Sequence, residues 1–232
     1  AAAALQAARD NPNAQILLLE PTDWLGGQAT SQGVAAIDEA WHQPVSGIVR
    51  PNRDVYYPAD YREFIETMRT PPAEAPGTGL APQGTAWVSN EVFDPRTGAW
   101  VLDQLVTRHP NITVMKLTVV RDAVVEDVTD AWGEGRVIKS LRLIQRAPAG
   151  DYKPHDRMLS EELLDWYNPA DSAVFTKTLY DVTARDPQKD LVVIDASELA
   201  DVVVLSGATY TVGRELYNEE VGEDGSLPEM DE

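Results

Sequence analysis

The strongest indication of the fold lies in residues 16–31. They read Ile16-Leu17-Leu18-Leu19-Glu20-Pro21-Thr22-Asp23-Trp24-Leu25-Gly26-Gly27-Gln28-Ala29-Thr30-Ser31. The first four residues are large and apolar, which is typical of a parallel strand buried on both faces. Residues 1–9 before it are rich in alanine, and Asp10-Asn11-Pro12-Asn13 ends that helix-forming run with a turn. This order of helix, turn and buried strand predicts part of a β-α-β unit in an α/β protein.

The residues that follow this strand suit a nucleotide ligand. Glu20 ends the strand, and open α/β sheets place their ligands at the carboxyl ends of strands. A carboxylate there offers two oxygens to the two hydroxyls of an adenosine ribose. The Gly26-Gly27 pair lets the backbone approach a ligand and leaves N–H groups for phosphate oxygens. A solvated strand end or an ordinary turn would explain either feature alone, and their combination favours the nucleotide.

Composition excludes several classes of function. The 232 residues are 43% hydrophobic, enough for one sizeable core, and the formal net charge of -19 would repel nucleic acid and anionic lipid. There are no cysteines, which rules out disulfides, thiolate zinc sites and iron–sulfur clusters. The three histidines are far apart, so we expect no metal site. No apolar run is long enough to predict a membrane span.

The remaining pattern predicts further elements along the chain. Residues 61–68 carry apolar side chains at helical spacing, and a second helix is expected over 101–106 after a turn at 94–98. The predicted strands cover residues 112–115, 117–128, 137–144 and 191–194, with a hairpin turn at 132–135.

At this point the residues resemble a known family. The acidic strand end, the glycine pair and a following hydroxyl residue, here Ser31, resemble the glycine-doublet motif of FAD-dependent oxidoreductases of the glutathione-reductase-like superfamily. Trp24 and Gln28 stand where many members carry arginines. The resemblance therefore implies backbone contacts, without charge pairing, to the pyrophosphate of FAD.

The resemblance extends along the chain. Residues 117–144 are similar to the β-rich segment that gives the adenine a backbone contact, here near Val119 and Val120. The run 193–201 resembles the Asp-Ala-Thr-Gly strand end of these families. Trp87-Val88-Ser89 and Asp165-Trp166-Tyr167-Asn168-Pro169 are similar to a bacterial branch of FAD-dependent oxidoreductases whose substrate is unknown.

The resemblance implies an α/β fold with a Rossmann-type FAD-binding domain of three layers, a central parallel sheet plus a β-meander. That domain would comprise residues 1–50, 100–150 and 175–213, with inserted cap or substrate segments at 51–99 and 151–174 and an acidic tail at 214–232. The cofactor-binding residues that it implies are Glu20, Pro21, Trp24, Gly26, Gly27, Gln28, Thr30, Ser31, Val119, Val120, Ala196 and Ser197.

Two parts of the family pattern fall outside the sequence. The Gly-x-Gly-x-x-Gly turn, which holds the pyrophosphate at a helix N-terminus, would precede Ala1. A Gly-Asp pair that contacts the flavin side would follow the acidic tail. We therefore expect the chain to be part of a longer protein.

The implied chemistry is hydride transfer from a small organic donor to the flavin N5, for which a dedicated catalytic residue is not required. His42 could exchange a proton near the ring or be an exposed loop histidine, and Asp38 and Glu39 could act as a base or face solvent. Aromatic residues over 41–61 and 152–167 could line a substrate pocket or belong to the core. A non-catalytic flavin- or nucleotide-binding module is the alternative function. A nicotinamide-binding module is disfavoured by the glycine pair and the long insertions.

Overall fold

The computed structural model describes residues 1–34, 36–37, 57–77, 92–130, 133–154, 156–186, 189 and 191–210. The elements in chain order are helix α1 (Ala2–Asp10), strand β1 (Ile16–Leu19), a 3₁₀ turn (Gly27–Ala29), α2 (Ala59–Arg69), α3 (Pro95–Thr107), β2 (Ile112–Met115), β3 (Thr118–Asp130), β4 (Gly133–Pro148), α4 (Leu159–Trp166), β5 (Phe175–Thr183) and α5 (Asp201–Leu205).

The predicted strand over residues 16–19 is confirmed, and its partner is β2. The two strands are parallel, with Ile16 opposite Ile112 and Leu19 opposite Met115. Parallel strands need a long crossover, and here the chain between them includes α2 and α3. The carboxyl ends of β1 and β2 therefore lie side by side, which is the edge where the sequence predicts a ligand.

A hydrophobic core forms beside this pair of strands. Residues from α1, the glycine-containing turn, α2 and α3 meet there, as the predicted helical spacing of residues 61–68 requires. Its buried members are Leu5, Leu25, Phe64, Ile65, Met68, Phe93, Val101, Leu105 and Val106. Because Leu25 belongs to this core, its packing fixes the turn after β1 to the core.

The third helix begins earlier than the sequence predicts. The expected turn at residues 94–98 is instead the start of α3, because the Asp94 side chain caps the helix by accepting from the Arg96 N–H at 2.8 Å. Pro95 occupies the first helical position, where its missing N–H costs no hydrogen bond.

A second sheet has the order β3-β4-β5, in which strands consecutive in the sequence are neighbours. The predicted hairpin of β3 and β4 is confirmed, but Gly133 and Gly135, which were expected in its turn, belong to β4. Sequence analysis did not single out β5 or α4. Both lie in stretches with mixed polar and aromatic residues, where the apolar period is weak.

The strand predicted over residues 191–194 is wrong. These residues are described but pair with no strand among the described residues, and 82% of Val192 and 66% of Ile194 is exposed. An apolar run becomes a strand only where a neighbour completes its hydrogen bonds. Sequence alone did not reveal that this neighbour is lacking within the part of the chain described.

The described residues form an α/β structure in two compact units. The first comprises Ala1–Arg121 with Leu141–Val182, and the second comprises Asp122–Ser140 with the described residues from Thr183 onward. Within the described residues the parallel sheet has two strands, β1 and β2. No helix in the described ranges is long and apolar enough to cross a membrane.

The cap of α3 can be tested by substitution. Asp94→Ala should lower the free energy of unfolding by about 1 kcal/mol, because the first turn loses its side-chain acceptor. Asp94→Asn keeps an acceptor and should lose much less, as measured by urea denaturation at neutral pH. Equal losses in the two variants would show that the charge pair with Arg96, and not the cap, stabilises this helix.

Candidate functional site

The carboxyl end of β1 is fixed by the main chain of two later segments. The Glu20 N–H donates to the Met115 carbonyl at 3.0 Å, and the Glu20 carbonyl accepts from the Thr118 N–H at 2.9 Å. The Leu117 N–H donates to the Thr22 carbonyl at 2.9 Å, and Leu117 takes a left-handed conformation, with φ of 54°, between β2 and β3. We call this meeting point of residues 20–22 and 115–118 the Glu20 junction.

The Glu20 side chain leaves one oxygen available. Its Oε1 accepts from the Thr22 N–H at 2.9 Å and from the Thr22 hydroxyl at 2.8 Å. Its Oε2 accepts no hydrogen bond from the residues that the structure describes. Burial raises the pKa of Glu20, and the charge of Lys116 is among the influences that oppose this rise. Thr22 therefore orients the Glu20 carboxylate, and the second carboxylate oxygen, Oε2, can accept a hydrogen bond from a ligand.

The glycine pair takes a conformation that other residues disfavour. Gly26 has φ of 121° and Gly27 has φ of 55°. A Cβ on Gly26 would lie 2.7 Å from Thr30 and 2.8 Å from Leu102, so protein packing already requires this glycine. The N–H groups of Gly26 and Gly27 donate no hydrogen bond to a described residue. Two backbone donors thus accompany the carboxylate in one turn.

The predicted hydroxyl residues of this turn bond within the turn itself. Thr30 is buried, and its hydroxyl donates to the Leu25 carbonyl at 2.8 Å. The Ser31 hydroxyl donates to the Gly27 carbonyl at 3.3 Å. The structure therefore brings both residues beside the glycine pair, and their hydroxyls brace its main chain.

The other predicted residues of the turn differ in exposure. The Pro21 carbonyl accepts a hydrogen bond from the Arg146 side chain, and the Trp24 N–H donates to the Thr22 hydroxyl at 3.2 Å. Gln28 is exposed at the rim of the 3₁₀ turn.

Val119 and Val120 are far from Glu20 in the sequence, but the start of β3 brings their main chain close to it. They directly follow Thr118, whose N–H is bonded to the Glu20 carbonyl. Both side chains are buried, and Val119 packs in a cluster with Ile144, Trp166 and Phe175. The start of β3 and the end of β1 are thus brought together.

Ala196 and Ser197 belong to the second unit and lie before α5, next to the capping residue Asp195. Asp195 Oδ1 accepts from the Ser197 N–H at 2.9 Å and hydroxyl at 2.7 Å, and its Oδ2 accepts from the N–H groups of Val202 and Val203. Burial alone would raise the pKa of Asp195, but these hydrogen bonds outweigh it and lower the pKa. The run resembling a strand end is therefore a capped start of α5.

Sequence reasoning missed Arg146, which contacts the Glu20 junction from β4. A signal was present, because Arg146 stands two residues after Ile144, and alternate residues of a strand share a face. The two side chains are indeed both buried.

The candidates His42, Asp38 and Glu39 lie outside the described residues. No group of three or more metal-ligating side chains occurs in the described ranges.

The arrangement suits an adenine dinucleotide. One oriented carboxylate oxygen can accept from ribose hydroxyls, and two backbone N–H groups can donate to phosphate oxygens. These groups lie within seven residues of one another along the chain, Glu20 to Gly27, at the carboxyl edge of a parallel pair of strands. Ligands bind at this edge in open α/β sheets.

Packing at Gly26 yields a matched comparison. Gly33→Ala meets no atom within 4 Å and should cost about 1 kcal/mol of unfolding free energy for its left-handed backbone alone. Gly26→Ala should cost about 1–3 kcal/mol more, because its Cβ also collides with Thr30 and Leu102. Urea denaturation of the two variants measures the difference, and equal costs would show that Gly26 is not closely packed.

Comparison with known proteins identifies the family of this chain. A family model described as FAD dependent oxidoreductase matches residues 1–150, which include α1, both parallel strands and the Glu20 junction. Searches of curated proteins and of solved structures each find no match. Since the model covers more than half of the chain, this protein belongs to the FAD dependent oxidoreductase family.

Proposed function

We propose that this FAD-dependent oxidoreductase holds the adenosine half of its cofactor at the Glu20 junction and oxidises a small organic donor. Membership of the family makes FAD the cofactor and a small molecule the substrate. The observation that carries the proposal is that Oε2 of Glu20, and the N–H groups of Gly26 and Gly27 in the turn that follows, make no hydrogen bond to a described residue.

Each part of the turn has a separate task in this proposal. Glu20 accepts from the ribose hydroxyls, while Gly26 and Gly27 donate to the pyrophosphate. Pro21, Trp24, Gln28, Thr30 and Ser31 shape and border that turn. The main chain at Val119 and Val120 contacts the adenine, which is supported by the hydrogen bond between Thr118 and Glu20. Ala196 and Ser197 are proposed as cofactor-binding residues on the family resemblance alone.

The chemistry follows from the cofactor. The Glu20 junction and the glycine pair would hold FAD, and the bound flavin would supply a two-electron oxidation of the donor by accepting a hydride at N5. The protein's own residues bind and orient the cofactor and exclude competing reactions. No catalytic side chain is assigned, because orientation is what the described turn can provide.

A wider fold accompanies this function. We propose a Rossmann-type domain of the glutathione-reductase-like kind over residues 1–50, 100–150 and 175–213, in which β1 and β2 belong to a larger parallel sheet. Residues 51–99 and 151–174 would be inserted cap or substrate segments. The parallel register of β1 and β2 and the neighbouring strands β3, β4 and β5 support this proposal.

The ribose contact can be tested directly. Glu20→Gln keeps an acceptor for Thr22 but loses the charge, so the dissociation constant of FAD should rise roughly 10- to 100-fold, as expected for a lost charge-assisted hydrogen bond. Titration of flavin fluorescence measures this constant. Asp23→Asn, in the same turn, is the control and should change it little.

An FAD analogue with a 2′-deoxyadenosine half sharpens the test. It lacks one of the two hydroxyls, so Glu20→Gln should weaken its binding much less than it weakens the binding of FAD. If Glu20→Gln and Asp23→Asn reduce FAD affinity equally, or if the analogue is affected as strongly as FAD, Glu20 does not bind the ribose.

A further inference from the structure

Arg146 contacts the Glu20 junction through both its main chain and its side chain. Its N–H donates to the Leu117 carbonyl at 2.9 Å, and its Nη2 donates to the Pro21 carbonyl. Only 2% of the residue is exposed. Because Pro21 follows Glu20 directly, the guanidinium fixes the peptide group next to the proposed ribose-binding carboxylate.

Two aromatic rings lie next to the Arg146 guanidinium group. Its central carbon lies 4.2 Å from the ring centre of Trp166 and 5.2 Å from that of Phe175. The Trp166 indole N–H donates to Glu162 at 3.3 Å, one turn earlier on α4. An arginine stacked on aromatic rings keeps its direction, and a lysine would not reproduce this geometry. Helix α4 therefore sets where Arg146 points.

Arg146 is buried although not all of its N–H groups are hydrogen-bonded to described residues. Its Nε and Nη1, and Oε1 of Glu162, have no hydrogen-bond partner among the described residues. Burial lowers the pKa of Arg146 to about 10, so it stays charged at neutral pH. A buried, partly unpaired cation is a poor device for stability alone, since apolar side chains of similar volume often serve better.

Several anions oppose the effect of burial on the pKa of Arg146. Glu162 and Asp165 favour its charged form most strongly, and Glu20 contributes least. Arg146 therefore acts on the Glu20-Pro21 peptide group through its hydrogen bond to the Pro21 carbonyl.

We propose that Arg146 is a positioning residue for the adenosine end of FAD, and that α4 acts through it on cofactor affinity. The inference rests on the proposed function, because it assumes that Glu20 binds the ribose. Arg146 itself is too buried to touch the cofactor in this structure. Its effect on FAD must therefore pass through the Glu20 junction.

The test is a double-mutant cycle on the dissociation constant of FAD. Arg146→Met keeps much of the side-chain volume but removes the donors and the charge, and should weaken FAD binding about tenfold or more. Combined with Glu20→Gln, it should weaken binding by less than the product of the two single effects, because both act through one contact. Arg146→Lys should recover part of the affinity.

Arg142→Met is the matched control on the same strand. Arg142 is exposed and pairs with Asp181 at 2.8 Å, so its loss should leave FAD affinity unchanged. Thermal melting of every variant reports stability separately from affinity. If Arg146→Met does not fold, Arg146→Lys with Glu20→Gln completes the same cycle.

The outcomes separate the two proposals. Unchanged affinity in Glu20→Gln would remove the ribose contact and the role of Arg146 with it. A clear effect of Glu20→Gln, with no effect of the Arg146 substitutions or with effects that simply multiply, would overturn the positioning role alone. Losses below the product, with partial recovery by Arg146→Lys, would establish it.

Discussion

The structure of the proposed site depends on the parallel pairing of β1 with β2. Because Leu19 lies opposite Met115, Glu20 reaches the sheet edge where the chain turns from β2 into β3, and its own N–H and carbonyl are both bonded there. The side chain is then oriented by Thr22 and the following turn is anchored by Leu25 in the core. A shift of this register by one residue would separate the Glu20 main chain from its partners at Met115 and Thr118.

For the proposed function, this constraint explains how a short turn binds a large cofactor. The main chain is fixed by hydrogen bonds and by packing at Gly26, so the donors and the acceptor proposed for FAD are preorganised and cost little ordering on binding. The family supplies the chemistry through FAD, and the described residues supply position. The proposed role of Arg146 follows the same principle. A buried residue can fix the position of a binding turn through a hydrogen bond to its main chain.

Sequence predicted the elements whose patterns are strong and local. The apolar run of β1, the strand over residues 112–115 and the helical spacing in α2 were all confirmed. The failure at residues 191–194 has a physical cause, since apolar character does not supply the neighbouring strand that pairing needs. Gly26 was predicted for ligand approach, yet it is also required by close packing against Leu102 of α3, which is a tertiary contact. Arg146 was missed because a charged residue in a strand is normally exposed.

A crystal structure of the protein with FAD bound would show which residues bind the ribose. We expect the adenosine ribose hydroxyls to lie within hydrogen-bonding distance of Glu20 Oε2, with pyrophosphate oxygens at the N–H groups of Gly26 and Gly27. A cofactor whose ribose is held by other residues, with Glu20 still facing only Thr22, would contradict it.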